Sequence, residues 1–176
     1  MKAHKISQFI SLLEYIEDLF DGTIGFWDTK TINLELNPYY QPFSCKYDTV
    51  PRINKETFHK YRKRLVKMGV LTTEQQSQYV THVFIIPKKY GTGVFIMYHS
   101  SINEQLIRNP YTLPRISEIM QQLEGLQDVT VLYLNMGYYT IKTLPANQEM
   151  MTIVTELSKF RYKCLPMSIY VFGDIF

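Results

Sequence analysis

Cysteine is scarce in this chain of 176 residues, and its scarcity excludes several kinds of protein. The two cysteines, Cys45 and Cys164, are far apart, and neither belongs to a CxxC or cysteine–histidine ligand spacing. The sequence therefore predicts neither a disulfide framework nor a zinc site. Because unpaired cysteines are typical of reducing compartments, we expect an intracellular protein, although the compartment stays open.

Long apolar runs and common catalytic motifs are also missing. No apolar run reaches the roughly 18 residues that a membrane-spanning helix needs. Lys2, His4 and Lys5 are followed by a helical pattern rather than by the apolar core of a signal peptide, so we expect neither secretion nor membrane insertion. The sequence has no nucleophile elbow, no phosphate-binding glycine-rich motif and no Ser/His/Asp arrangement that would indicate another enzyme class.

The composition that remains is that of an ordinary folded domain. Hydrophobic residues make up 45% of the chain and charged residues 20%, which is typical of one globular domain with its own core. A net charge of +3 permits contact with nucleic acid without requiring it. Predicted helices and strands alternate without a regular βαβ repeat, which indicates the α+β class.

Apolar periodicity predicts three helices and six strands. The first helix covers residues 6–20, the second follows Asn54 as its N-cap and ends at Gly69, and the third runs from Pro114 to Gly125. The first helix is predicted to be amphipathic, with the apolar residues Ile6, Phe9, Ile10, Leu13, Ile16, Leu19 and Phe20. One face of the second consists of Phe58, Tyr61, Leu65 and Met68. The residues of the third helix that are predicted to be buried are Ile116, Ile119, Met120 and Leu123. The predicted strands cover residues 31–36, 80–86, 94–98, 129–134, 139–143 and 151–154, and a hairpin turn joins the second to the third.

One segment carries a specific resemblance. Residues 132–139 read Leu132-Tyr133-Leu134-Asn135-Met136-Gly137-Tyr138-Tyr139, which closely resembles the LDLNMGYY segment of gypsy-class LTR retrotransposon reverse transcriptases. Similar strings follow the family's order from Leu12 to Phe176, including 84–89, which resembles the fingers hairpin, 109–116 and 159–167. The resemblance implies the fingers and partial palm of a right-hand polymerase. It assigns 1–50 to an N-terminal segment, 51–104 and 141–171 to fingers-like structure, and 105–140 and 172–176 to a partial palm.

Tyr133 stands where the family has an aspartate that ends a buried palm strand and binds both catalytic metal ions. Two-metal catalysis needs carboxylate oxygens around Mg²⁺, and a phenol with a pKa of about 10 is a poor substitute. Asp128 lies five residues back, roughly 16 Å away on the opposite face of the predicted strand, and Asn135 offers only one neutral oxygen. The sequence given also stops before the family's YxDD segment. We therefore expect no intact catalytic residue and no bound metal, although intact members use Mg²⁺, and we expect RNA-directed DNA polymerase activity to be lost.

Further departures fall near the expected nucleotide site. Val94 and Ser100 replace two family arginines, and Tyr98 replaces an aspartate, so the charged grip on a triphosphate should be weakened. Ser168 replaces the glycine that follows Met167 in the family.

Several residues are binding candidates by resemblance, and each has a plainer structural interpretation. Lys88 and Lys89 would face nucleotide or template, or they form a charged turn. Tyr138 matches an aromatic gate against the ribose 2′-hydroxyl, or it packs in the core. Met167 would contact template or nucleotide, or it belongs to a proline-bounded apolar turn.

The second predicted helix is rich in cations. Lys60, Arg62, Lys63, Arg64 and Lys67 could follow a phosphate backbone, or they could form a solvated face. Expected partners are therefore an RNA/DNA hybrid or single-stranded nucleic acid, bound weakly, and a second copy through the unpaired palm strand at 129–134. Three hypotheses stay open: an inert relic, a noncatalytic nucleic-acid-binding module, and an enzyme completed by another chain or by further sequence.

Overall fold

The computed structural model describes residues 3–27, 30–87, 93–127 and 129–175. In this part of the chain the strands are β1 (Thr31–Ile32), β2 (Leu71–Glu74), β3 (Thr81–Pro87), β4 (Gly93–Met97), β5 (Lys142–Thr143), β6 (Thr152–Val154) and β7 (Lys159–Tyr162). Five of them form one sheet in the order β2, β7, β6, β3, β4, in which β3 and β6 are parallel and the other neighbours antiparallel. β1 and β5 form a separate parallel pair.

The described helices are mostly short. They are α1 (Ala3–Tyr15), α2 (Lys55–Lys67), α3 (Ser100–Asn103), α4 (Ile116–Gln122), α5 (Pro145–Gln148) and α6 (Phe172–Ile175). Turns of 3₁₀ helix occur at Glu17–Phe20, Arg52–Asn54, Gly137–Thr140 and Glu149–Met151. Helices mixed with a largely antiparallel sheet confirm the predicted α+β class. No helix among the described residues is both long and apolar enough to span a bilayer.

α2 forms close to the predicted bounds and packs against β2 and β4. Phe58 and Leu65, seven residues apart on one face of the helix, are both fully buried. Gly69 ends the helix with φ +74°, a left-handed conformation that glycine adopts without steric cost. The predicted capping role of Asn54 is wrong, since its side chain makes no capping hydrogen bond and a 3₁₀ turn leads into the helix instead.

The predicted hairpin of β3 and β4 is confirmed by its antiparallel register, in which Phe84 lies opposite Ile96. Val83 and Ile85 are buried while Phe84 and Ile86 are exposed, as the alternation of side chains along a strand requires. The turn that joins the two strands, including Lys88 and Lys89, lies outside the described residues.

The apolar faces predicted for the first and third helices are not buried. α4 forms within the predicted stretch, whereas α1 begins at Ala3, before the predicted start, and residues 17–20 form a 3₁₀ turn rather than part of α1. The exposed apolar residues are Ile6, Phe9, Ile10, Leu13, Leu19 and Phe20 in the first region and Ile116, Ile119, Met120 and Leu123 in the second. Periodicity predicts that a helix has an apolar side, but burial also needs a neighbouring element to cover it.

Other predicted strands are shortened. Only Thr31–Ile32 of residues 31–36 forms a strand, and residues 139–143 divide into a 3₁₀ turn and the two residues of β5. The strand predicted at 151–154 is confirmed as β6. The stretch after β1 is held by an isolated antiparallel bridge between Leu36 and Leu106 and by the side chain of Asn147. The Asn147 amide donates to the Leu34 carbonyl at 3.0 Å and accepts from the Leu34 N–H at 3.1 Å.

Candidate nucleic-acid interface

Tyr133 lies in an irregular, exposed segment. Residues 129–134 form no strand, and 91% of Tyr133 is exposed to solvent. The prediction of a buried palm strand here is therefore wrong. A run of apolar residues becomes a strand only when another strand satisfies its backbone groups, and no described strand pairs with this segment. Asp128, five residues before Tyr133 in the sequence, lies outside the described residues.

The surroundings of Tyr133 do not suit Mg²⁺. The side chain is a neutral phenol pointing into solvent, whereas Mg²⁺ requires several hard oxygen ligands in near-octahedral geometry. In the described parts of the chain, no three His, Cys, Asp or Glu side chains are grouped so that they could hold a metal ion. The residues present therefore do not fit the ion used by intact reverse transcriptases.

The two tyrosines after Gly137 have different environments. The 3₁₀ turn Gly137–Thr140 buries Tyr139 completely, and this burial raises the pKa of its phenol. Tyr138 is 37% exposed, and its ring lies against Phe172 with 4.2 Å between ring centroids. This contact supports the packing interpretation of Tyr138, although the residue is still partly exposed to solvent.

Met167 is half-buried and precedes a strained residue. Ser168 has φ +77°, the left-handed region that favours glycine, at the position where the resemblance expects glycine. Asn103 holds this turn in place, since its side-chain amide donates to the Ser168 carbonyl at 2.9 Å and accepts from the Tyr170 N–H at 3.2 Å. Sequence reasoning missed Asn103, because its partners lie more than sixty residues away.

The residues that replace the family's charged groups form a different surface. Tyr98 is 54% exposed and stacks on His82, with ring centroids 5.2 Å apart and planes 10° from parallel. Asp48 Oδ2 lies 3.7 Å from His82 Nε2. Ser100 begins α3 and supplies no cation. At position 98, where the resemblance expects an aspartate, the chain therefore has a tyrosine that stacks on a histidine.

The five cations predicted on α2 are not equivalent. Lys60 pairs with Glu56 at 2.8 Å, one turn away on the same helix. The Arg62 guanidinium lies over the Phe160 ring, 5.0 Å from its centroid, and so packs against the sheet. Lys63, Arg64 and Lys67 are exposed, and no described carboxylate lies within ion-pair distance of them.

Comparison with known proteins gives a consistent picture. No family model matches the chain. It is 22% identical over 142 residues to the retrovirus-related Pol polyprotein from transposon 412 of Drosophila melanogaster, covering 77% of this chain and 11% of that protein. It is 24% identical over 106 residues to the transposon Tf2-7 polyprotein of Schizosaccharomyces pombe, covering 60% of this chain and 8% of the polyprotein. The chain thus spans about a tenth of these relatives.

The solved structures point to one fold. A crystal structure of the prototype foamy virus protease-reverse transcriptase, a CSH mutant, superposes with a TM-score of 0.82 over 95% of this chain and 23% of that chain, at 18% identity. The foamy viral protease-reverse transcriptase in complex with an RNA/DNA hybrid gives a TM-score of 0.78 over 99% of this chain and 24% of that chain, at 14% identity. The chain has a partial reverse-transcriptase fold, and its sequence is similar to those of retrotransposon Pol polyproteins.

Proposed function

We propose that the chain is the fingers and partial palm of a gypsy-class reverse transcriptase, derived from a retrotransposon Pol polyprotein, and that it has lost the polymerase reaction. The observation that supports the loss of polymerase activity is the tyrosine at position 133. Among the metal-binding aspartates of the family pattern, the one whose position this chain covers is occupied by this exposed phenol. A degenerate copy of the element explains both the retained fold and the lost acid.

The division into fingers and palm has support from the sheet. Residues 51–104 and 141–171 contribute α2 and all five strands of the sheet, which suits a fingers-like unit. Residues 105–140 contribute α4 and the exposed segment around Tyr133 but no described strand, which suits a palm that these residues alone leave incomplete. An intracellular location fits the two cysteines, both of which are free.

Primer extension tests the loss of activity. The purified chain, given a primed RNA template, Mg²⁺ and deoxynucleotides beside an active reverse transcriptase as positive control, is expected to add no nucleotide. Tyr133→Phe keeps the ring and removes only the hydroxyl, so it should behave like the wild type. Extension by the wild-type chain would overturn the proposal.

Noncatalytic nucleic-acid binding is a second candidate function. The unneutralised cations on α2 favour it, as does the structural similarity to a foamy viral enzyme that was solved with an RNA/DNA hybrid. We expect weak, salt-sensitive binding of a hybrid or a single strand. If the wild-type chain binds neither at low salt, an inert relic is the better description.

A further inference from the structure

α2 carries a continuous row of cations on the side opposite the core. The row, called the basic stripe below, consists of Lys60, Lys63, Arg64 and Lys67. These positions recur at three- and four-residue spacings, so their side chains lie on one face of the helix. All four are exposed, while Phe58 and Leu65 on the opposite face are fully buried and fix the helix to the sheet. The stripe therefore lies on the outer face of a helix that is packed against the sheet.

One acid, Glu56, forms an ion pair with a cation of the stripe. Glu56 Oε1 lies 2.8 Å from Lys60 Nζ, and the hydrogen bond and charge of Lys60 hold the pKa of Glu56 below its usual value, so the carboxylate is ionised at neutral pH. Glu156, a second acid that contacts this helix, bonds Lys55 at 2.8 Å, outside the stripe. Within the described residues, the stripe therefore holds three cations without a carboxylate partner and one that already has a partner.

We propose that Lys63, Arg64 and Lys67 bind the phosphate backbone of nucleic acid without reading its bases, and that Glu56 weakens this binding by holding Lys60. The inference rests on the proposed nucleic-acid binding and names its site. A phosphate backbone suits the stripe better than a protein surface, because the four positions include no apolar side chain and the centres of protein interfaces are depleted of charge.

The dimensions agree with a nucleic-acid strand. At 1.5 Å per residue, Lys60 and Lys67 are separated by about 10.5 Å along the helix axis. A B-form strand advances 3.4 Å per phosphate, so this length spans about three phosphates. Each neutralised phosphate releases counterions, and the logarithm of affinity should fall with the logarithm of salt by about 0.7 to 0.9 per contact.

The test is equilibrium binding of a fluorescent single-stranded oligonucleotide and of an RNA/DNA hybrid over a salt series. K63Q/R64Q/K67Q is expected to reduce the salt slope by about two to three and to abolish most binding at low salt. The control K30Q/K46Q/K163Q removes the same charge from exposed positions outside α2 and should keep the wild-type slope.

E56Q should tighten binding and steepen the slope by just under one, because it releases Lys60. Circular dichroism checks that each variant is folded.

The outcomes distinguish a wrong assignment of the site from an absence of nucleic-acid binding. If the wild-type chain binds but both triple variants weaken binding equally, general charge is responsible and the stripe assignment is wrong. Tighter binding by K60Q would also contradict it. If the wild-type chain binds neither probe, the proposed nucleic-acid binding itself fails together with this site.

Discussion

Arg108 and Asp174 form a two-point ion pair that joins the segment after α3 to α6. Arg108 Nε donates to Asp174 Oδ2 at 2.7 Å, and Nη2 donates to Oδ1 at 3.1 Å. Asp174 Oδ1 also accepts the Tyr111 N–H at 3.0 Å, and the guanidinium lies over the Tyr170 ring, 5.4 Å from its centroid. Only 7% of the Asp174 side chain is exposed, so the carboxylate relies on these donors instead of water.

Asp174→Asn should lower the free energy of unfolding at neutral pH. In acid, that free energy should fall less for the variant than for the wild type. The hydrogen bond from Arg108, with that from the Tyr111 backbone, lowers the pKa of Asp174 in the folded chain. Its stabilisation is therefore present above the unfolded pKa of about 3.9 and disappears as pH falls through the lower folded value. Urea unfolding at neutral and acidic pH measures the difference between wild type and variant. Arg108→Lys keeps the charge and should lose part of the stability, since it cannot form two parallel bonds.

His99 should make the fold sensitive to mild acid. His99 lies in the connection from β4 to α3, and its side chain is buried. This burial lowers the pKa of its imidazole to about 3, while an interaction with the Met167 backbone acts in the opposite direction. Because the folded pKa lies below the unfolded value, stability is full above about pH 6.5 and falls as pH drops toward 3, by up to about 1.4 kcal/mol per pH unit.

The measurement for His99 is the pH dependence of the unfolding midpoint. His99→Gln should flatten the loss between about pH 6.5 and pH 4, because the unfolded variant no longer gains that proton. His4→Gln, at an exposed position on α1, is the matched control and should follow the wild type. Parallel curves for wild type and His99→Gln would show that burial of His99 carries no such cost.

Ser168→Gly should stabilise the chain. Ser168 has φ +77°, and its Cβ makes this left-handed conformation unfavourable by about 1 to 2 kcal/mol. Glycine removes that strain but gains freedom in the unfolded chain, so a net gain of about 0.5 to 1 kcal/mol is expected. Ser168→Ala keeps the Cβ and should give no gain.

Both variants keep the hydrogen bond that the Asn103 side chain donates to the carbonyl of residue 168, because that carbonyl belongs to the backbone. Equal stability of the glycine and alanine variants in denaturant unfolding would contradict the role of backbone strain.

Local patterns predicted the parts of the fold that local interactions determine. α2 and the β3–β4 hairpin were predicted because apolar spacing and Gly69 act within a few residues. The burial predicted for the apolar side of α4 and the strand predicted at 129–134 are wrong, since both depend on partners that the described residues do not supply. Asn147 was missed because its partner Leu34 is 113 residues away. In the candidate site, the sequence predicts the cations of α2, but only the structure separates Arg62, which packs on Phe160, from the exposed basic stripe.

The segment around Tyr133 should cause self-association. Val131, Leu132 and Tyr133 are each more than 80% exposed, and no described strand pairs with their backbone. Exposed apolar residues with unpaired backbone groups invite pairing with the same segment of another copy. Sedimentation velocity over a concentration series should therefore show reversible growth in mass for the wild-type chain.

V131K/L132K should reduce that association, because a lysine pair desolvates poorly and repels its counterpart in a second copy. Val66→Lys is the control, since Val66 is also an exposed valine, at 40%, but lies on α2, outside the 129–134 segment. It should leave the association unchanged. A wild-type chain that sediments as a monomer at every concentration would show that the segment is protected in solution. Equal loss in both variants would mean that added charge, rather than the 129–134 segment, controls association.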